Sequence, residues 1–308
     1  MTSNRDSRIH RAADYLVSHF NPEVGLIYES EDEGVHWLKR IEYPNYRWSY
    51  QRTFWLYSDN LLAAYALQPF APEISKKLNE TINSYDPPPS NHFEAILGYS
   101  IGSDRQAQDI IIKQTEDYVI LIRIHNGTVG VPLFKYADNM LCEALSKYYR
   151  GQEAEAQSLV REVYNMWNGT CLVDSGVQQE FLWPNNAPSD IGFGLNFKLA
   201  LLLYAAKVTG TDLPDFEKLE EILWSKQQTN GGITTLSTGH GEPVGSANAE
   251  TTALTLLIYN DALISRIKNQ IRIPDHGSHA ASGVAPYLAL AGLVAAVSAV
   301  VAVKRRRD

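Results

Sequence analysis

One phrase occurs twice in this chain of 308 residues, and it limits the fold more than any other feature of the sequence. YSDNLLAAYAL at residues 57–67 returns as YADNMLCEAL at residues 136–145, in both cases Tyr, a small residue, Asp, Asn, an apolar residue and Leu, closing on Ala-Leu. Two weaker echoes follow, GLNFKLALLLYAAKVTG at 194–210 and ANAETTALTLLIYND at 247–261, with Asn196 and Glu250 where the strong copies carry Asp59 and Asp138. Self-similarity of this kind marks one supersecondary unit used repeatedly. Each copy is an apolar run behind one polar head, which predicts several inner helices that begin with a polar side chain.

A second phrase, an Asn- and Gly-rich turn ending in an aliphatic residue, appears as FNPEVGLI at 20–27, WNGTCLV at 167–173 and QTNGGITT at 228–235. The unit then reads as helix, turn, aromatic loop and polar-headed inner helix. Segments 8–20, 71–83, 152–166 and 214–228 have charged faces that suit an outer layer. A helical hairpin cannot bury its apolar face alone, so hairpins must stack, and closure into a ring protects the ends of the stack. The expected fold is therefore all-α, an α/α toroid or barrel of helical hairpins over residues 1–267. One departure is expected at about 92–131, where EDYVILIRIHNGTVGV alternates and runs into Asn126-Gly127, the signal of a small β-hairpin insertion.

Residues 283–303, GVAPYLALAGLVAAVSAVVAV, carry no charge and are followed by Lys304, Arg305, Arg306 and Arg307. This stretch is long enough to cross a bilayer and lacks the polar stripe of a core helix, so a single-pass C-terminal transmembrane helix is expected. Residues 268–282 then form a juxtamembrane linker and 304–308 a basic tail, which the positive-inside rule places in the cytoplasm with the body outside the cell. No signal peptide is visible in the charged, amphipathic start, which leaves a cytosolic, tail-anchored body as the other topology. Three glycosylation sequons, at Asn79, Asn126 and Asn168, are about what chance supplies and do not choose a side.

The net charge is −8, and because the tail is basic the remainder is more acidic still. A nucleic-acid partner is excluded on that ground. Only Cys142 and Cys171 are present, in no zinc-binding pattern; two small core residues or one bridge both fit. Neither a Gly-x-Ser-x-Gly elbow nor a Cys–His pair is visible, so nucleophilic hydrolysis has no support. The Asn230-Gly231-Gly232 and Gly239-His240-Gly241 turns match no phosphate-binding fingerprint. His92, Glu94 and His125 near the insertion, and His276 with His279 in the linker, do not make a metal site, and no cofactor is expected.

The stretch 227–259, QQTNGGITTLSTGHGEPVGSANAETTALTLLIY, resembles the repeat of the α/α-toroid superfamily, which includes terpenoid cyclases, prenyltransferase β-subunits, thioester domains and six-hairpin glycosidases. The points of similarity are a Gln, a Gly-Gly turn, a loop and a polar residue ahead of Thr-Thr-Ala-Leu. The resemblance implies a fold far more than an activity, since one scaffold carries unrelated chemistries. The chain lacks the Asp-rich motif of squalene-type cyclases and the Cys-Gly-Glu-Gln run of thioester domains. It also lacks an Asp-x-Cys pair to accompany His240 as in zinc prenyltransferases. By elimination the resemblance implies the carbohydrate-active branch, where carboxylates act at the narrow end of the ring and Trp and Tyr stack on sugars.

Asp59, Asp138 and Glu250 each head an inner helix, and in a closed ring their carboxyl groups would meet at one mouth. Two carboxyl groups flanking a glycosidic oxygen, one protonated and one ionised, are what acid/base hydrolysis requires. The same residues at the same places also suit plain helix N-caps. The loop at 43–57, YPNYRWSYQRTFWLY, supplies Trp48, Tyr50, Arg52, Trp55 and Tyr57 as a sugar-stacking or anion-binding rim, with Tyr136, Trp183 and Asn248 in the matching places of other repeats. Packing in the core is the alternative use of these aromatics. Two functional readings follow. In one, a membrane-anchored protein acts on carbohydrate as a glycosidase, lyase or epimerase; in the other, a non-catalytic surface module binds a glycan or a partner protein.

Overall fold

Ile9, Ala12, Ala13 and Leu16 recur at helical spacing and form the buried stripe of α1 (Thr2–Ser18). The computed structural model describes residues 2–30, 52–90, 92–98, 107–125, 136–174 and 193–270. The chain divides into two units, Met1–Ile273 and Pro274–Asp308; all the described residues belong to the first.

The two strong copies of the repeated phrase, and both echoes, fold as helices. Leu56–Leu61 is a π-helical turn that leads into α2 (Leu62–Ala66), and it carries Asp59. The other three are α5 (Ala137–Tyr149), α7 (Asn196–Thr209) and α9 (Ala249–Leu257). Helix α7 is buried on nearly every side and ends at Gly210, whose φ of 68° supplies the left-handed cap that stops a helix. It packs against α5 and α9, and α9 packs against α2 and α1. The more charged helices lie beside these: α3 (Pro72–Ser84), opened by a proline in its first turn, α6 (Glu153–Tyr164) and α8 (Phe216–Trp224). Two further helices, α4 (His92–Ile96) and α10 (Asp261–Gln270), pack on α5 and α7 respectively.

Among the described residues, eight strands form three small sheets. β1 (Phe20–Asn21) and β2 (Leu26–Ile27) pair antiparallel around the first Asn/Gly turn. β3 (Arg52–Trp55) runs parallel to β5 (Tyr118–His125), with Arg52 opposite Tyr118 and Trp55 opposite Leu121. β4 (Ala107–Gln114) flanks β5 on its other edge, antiparallel. β6 (Phe193–Leu195), β7 (Ile233–Thr238) and β8 (Pro243–Asn248) form an antiparallel meander immediately before and between the last two inner helices.

The all-α toroid expected from the repeats is thus corrected: the chain is a mixed helical and β structure. The polar-headed helices are present, but the segments that lead into three of them are strands β3, β6 and β8 rather than loops. β3 and β6 are too short to leave an alternating signature and pair with strands far away in sequence, so local pattern cannot reveal them, whereas β8 pairs with its neighbour β7. The hairpin in the β insertion also turns elsewhere than at Asn126-Gly127, which lies outside the described residues. It turns at Thr115, whose hydroxyl accepts from the backbone N–H groups of Asp117 (3.2 Å) and Tyr118 (3.0 Å). Val119, Ile120, Leu121, Ile122 and Ile124 are all buried because β5 is the central strand, covered on both faces.

The membrane assignment is corrected as well. No helix among the described residues is long and apolar enough to cross a membrane. The most apolar, α7 and α9, have 14 and 9 residues, short of the roughly 20 that a bilayer requires. The proposed span at 283–303, its linker and the basic tail lie outside the described residues. The single-pass topology, with an external body and a cytoplasmic tail, is accordingly withdrawn.

The glycine turns serve packing. At Gly231, φ is 95° and a Cβ would collide with the carbonyl oxygen of Arg11 in α1, so this turn lets the last repeat close against the first helix. Tyr15 Oη donates to Ala247 O (2.9 Å) and Gln227 Nε2 to Arg8 O (2.8 Å), completing that junction.

Candidate functional site

Asn60, the second polar residue of the repeated phrase, organises the first part of the site. It is fully buried; its Oδ1 accepts from Ile27 N (2.6 Å), and its Nδ2 donates to Ile27 O (3.0 Å) and Trp55 O (2.8 Å). This clamp holds β2, β3 and the π-helical turn together, and π-turns recur at functional sites. Two residues beyond β2, Glu29 continues the pairing. Its N–H donates to Thr53 O (2.9 Å) and its carbonyl accepts from Ala249 N (2.9 Å) at the start of α9. Backbone hydrogen bonds therefore bring Glu29, Asp59 and Glu250 together from three distant parts of the sequence.

These carboxyl groups sense one another and share Arg123 of β5 as their cation. Arg123 is itself paired in bidentate fashion with Asp109 of β4 (2.7 and 2.9 Å), and its guanidinium lies 5.2 Å from the centroid of the Trp55 ring. The Asp109 pair keeps the guanidinium pKa above its ordinary value despite burial. Glu29 accepts from Trp55 Nε1 (3.2 Å) and Asn248 Nδ2 (3.4 Å). Burial still raises its pKa, against the opposing pull of Trp55 and Arg123. Asp59 is 1% exposed; its Oδ1 accepts from Ser58 Oγ (3.0 Å), while its Oδ2 has no hydrogen-bond partner. Burial, reinforced by Glu29 and Glu250, pushes its pKa well above the carboxylate range. Glu250 is half-buried and is pushed up to about 7, chiefly by burial and then by Glu29 and Asp138, against Arg123.

Asp138 occupies the opposite electrostatic environment. Its carboxylate lies 3.2 Å from Lys198 Nζ, which also donates to Asp174 Oδ2 at 2.6 Å. Burial alone would raise the Asp138 pKa, but Lys198 and then His92 hold it below its ordinary value. The two aspartates likewise keep the buried Lys198 protonated. Asp174 also accepts from Ala137 N (2.7 Å), which fixes the first turn of α5. The site thus contains a carboxylate held ionised, Asp138, close enough to Glu250 to raise the pKa of that second carboxyl.

The capping role for Asp59, Asp138 and Glu250 is not observed. The N-cap residues of the π-helical turn and of α5, Trp55 and Tyr136, make no side-chain cap; the first N–H of α5 is met by Asp174 from outside the helix, and α9 is capped by Asn248, whose Oδ1 accepts from Thr251 N at 3.1 Å. Asn196 instead bridges to β7, donating to Thr234 O (2.8 Å) and accepting from Ser237 Oγ (2.8 Å).

Of the expected rim, Trp55 lies beside the carboxyl groups but is 7% exposed, held between Arg123 and Glu29. Tyr57 is buried and donates to Pro88 O (2.6 Å), a packing role. Arg52 is exposed, over the Tyr28 ring at 4.9 Å. Tyr136 is half-buried, with the Lys198 ammonium 5.7 Å from its ring centroid. Trp48, Tyr50 and Trp183 lie outside the described residues, as do His276 and His279. Cys142 and Cys171 are both free and buried. The sequence showed no Cys–His pair, yet Cys142 Sγ lies 3.3 Å from His92 Nε2, both buried. Among the described residues, no group of three or more His, Cys, Asp and Glu side chains is arranged to hold a metal ion.

Sequence reasoning missed Glu29, Arg123, Lys198 and Asp174. For two of them a signal existed: Arg123 interrupts the apolar run VILIRI and Lys198 the apolar helix NFKLALLLYAA, and a charge in such a run must be paired. Compared with protein-family models, with curated proteins and with solved structures, the chain matches none.

Proposed function

We propose that this protein is an acid–base enzyme acting on a carbohydrate or a similarly polyhydroxylated substrate, with Glu250 as proton donor, Asp138 as the ionised partner and Asp59 assisting. The observation that carries the reading is the gathering of carboxyl groups from separate segments into opposed environments. Lys198 keeps Asp138 charged, whereas burial and like charges keep Glu250 poised near neutrality. Such a split between two neighbouring carboxyl groups assigns acid and base. In hydrolysis Glu250 would give its proton to the glycosidic oxygen as the carbon–oxygen bond breaks, and Asp138 would take a proton from the attacking water. Elimination or epimerisation of a sugar would use the same pair, with Asp138 removing a carbon-bound proton.

The test is product formation by the full chain on a broad panel of oligo- and polysaccharides. Reducing ends report hydrolysis, ultraviolet absorbance reports unsaturated products, and NMR reports epimers. Turnover reduced about 100-fold or more in both Glu250→Gln and Asp138→Asn, with folding retained, is the expected result. Silence across the panel, or turnover that survives both substitutions, would overturn the assignment. Binding without turnover would select the non-catalytic module instead.

A further inference from the structure

The cluster at Glu29, Asp59 and Glu250 has a charge imbalance that the described residues do not resolve. The cation facing all three is Arg123, and its guanidinium already makes two hydrogen bonds to Asp109 and lies against Trp55. Lys198 is held between Asp138 and Asp174. Among the described residues, then, both cations of the site are committed. Independently of the charges, Asp59 is 1% exposed with Oδ2 lacking any hydrogen-bond partner, next to Glu29 and Glu250. Burying such an oxygen bare is costly, and in native structures these atoms mark places where another molecule completes the bonding.

Glu29 and Glu250 are half-buried, so part of the cluster meets solvent. An ammonium group presents three donors, enough to meet the open Asp59 oxygen and Glu29 while Glu250 keeps the proton that it donates. A substrate carboxylate or phosphate would meet acids on three sides and an arginine already engaged. A metal ion is disfavoured because these side chains are not arranged as a metal-holding group.

We propose that this cluster is a subsite for a cationic sugar, an amine-bearing saccharide whose ammonium sits against Asp59 and Glu29, beside Glu250. The proposal rests on the acid–base reading of the same site and names its substrate class. Binding a cation there favours ionised Asp59 and Glu29, so it should expel protons that these two carboxyl groups hold when empty.

Three oligosaccharides of equal length test this: β-1,4-linked glucosamine, the cello-oligosaccharide with hydroxyls in place of the amines, and oligogalacturonate. Calorimetry with the full chain at a pH of about 6, where the amines are charged, compares their affinities in buffers of different ionisation enthalpy. The glucosamine oligomer should bind about tenfold or more tightly than its neutral counterpart at low salt, lose that advantage as salt is raised, and release protons. Asp59→Asn should remove most of the preference; the proton release of the unaltered chain decides the matter even if that variant does not fold. Equal affinities, preference for oligogalacturonate, failure to bind any of the three, or binding without proton release would each overturn the proposal. Turnover of neutral glycans without a preference for amines would defeat the cationic subsite alone. Proton-releasing amine binding without turnover of any glycan would defeat the acid–base reading alone.

Discussion

Replacing Lys198 by methionine removes the cation that Asp138 and Asp174 share, 3.2 and 2.6 Å from its nitrogen. Methionine keeps most of the aliphatic stem's volume in α7, so the loss reports charge rather than packing. Removing one partner of a buried ion pair costs about 3–5 kcal/mol, because the remaining charge stays out of water. Here the Asp174 side chain is 0% exposed and keeps the Ala137 N–H, whereas Asp138, 22% exposed, can draw some solvent. The expected loss is therefore about 3–4 kcal/mol at neutral pH, within the range for such pairs.

The loss should also depend on pH. In the unaltered chain Asp138 has a folded pKa below its ordinary 3.8, so its contribution is complete above that value and fades as pH falls through the lower folded pKa. Without Lys198 the same carboxyl is raised by burial, and the folded variant binds a proton more readily than the unfolded one. The gap between the two proteins should be widest near neutrality and narrow as pH falls toward 3.8. Urea unfolding across that range measures it, and the double variant Lys198→Met with Asp174→Asn should recover part of the loss. A loss under about 1 kcal/mol at neutral pH, or a gap that stays constant on acidification, would refute the reasoning.

Glu250→Gln should stabilise the protein above pH 7. A carboxyl raised on folding from 4.5 to about 7 favours the folded state only at low pH, and its ionisation on the way up removes on the order of 3 kcal/mol. Unfolding curves of the two proteins should converge near pH 4.5 and separate at higher pH; a glutamine variant no more stable in alkali would count against the assignment. Asn60→Ala removes all three buried hydrogen bonds of the clamp and should cost about 3 kcal/mol, with turnover falling together with order around Asp59. A change below about 1 kcal/mol in thermal or urea unfolding would show that the clamp is dispensable. Arg123→Met takes away the charge that restrains Glu250, so the Glu250 titration, followed by carboxyl NMR, should move to higher pH. An unmoved titration would separate the two groups.

The helices headed by Asp59, Asp138, Asn196 and Glu250 were legible because a polar residue ahead of an apolar run stands out locally. The repeat pointed to Asp59, Asp138 and Glu250 through a closed ring that the chain does not form; in the structure Glu250 is the carboxyl that interacts with each of the other two. The strands were not. β3 is four residues within an evenly aromatic stretch, and its partner begins at Tyr118, far along the chain. Glu29 stands at the edge of the acidic run ESEDE, which reads as solvated surface, and only its backbone bonds to Thr53 and Ala249 draw it inward. The cap of α9 was misplaced within the three residues Asn248-Ala249-Glu250. Asn and Glu are both plausible near a helix start, and the choice depends on which side chain can turn back to Thr251 N.

The junction between α1 and the last repeat bears on the order of events during synthesis. Helix α1 is made well before α9 yet holds its apolar stripe against it, and Tyr15 awaits the carbonyl of Ala247 while Glu29 O awaits the amide of Ala249. The carbonyl of Ala247 is made 232 residues after Tyr15. Until then α1 remains an unsatisfied amphipathic segment, and Glu29, Asp59 and Asp138 wait for Glu250. Assembly of the acid cluster is therefore a late, chain-wide event, and the open stripe on α1 gives a holding chaperone a target throughout the delay.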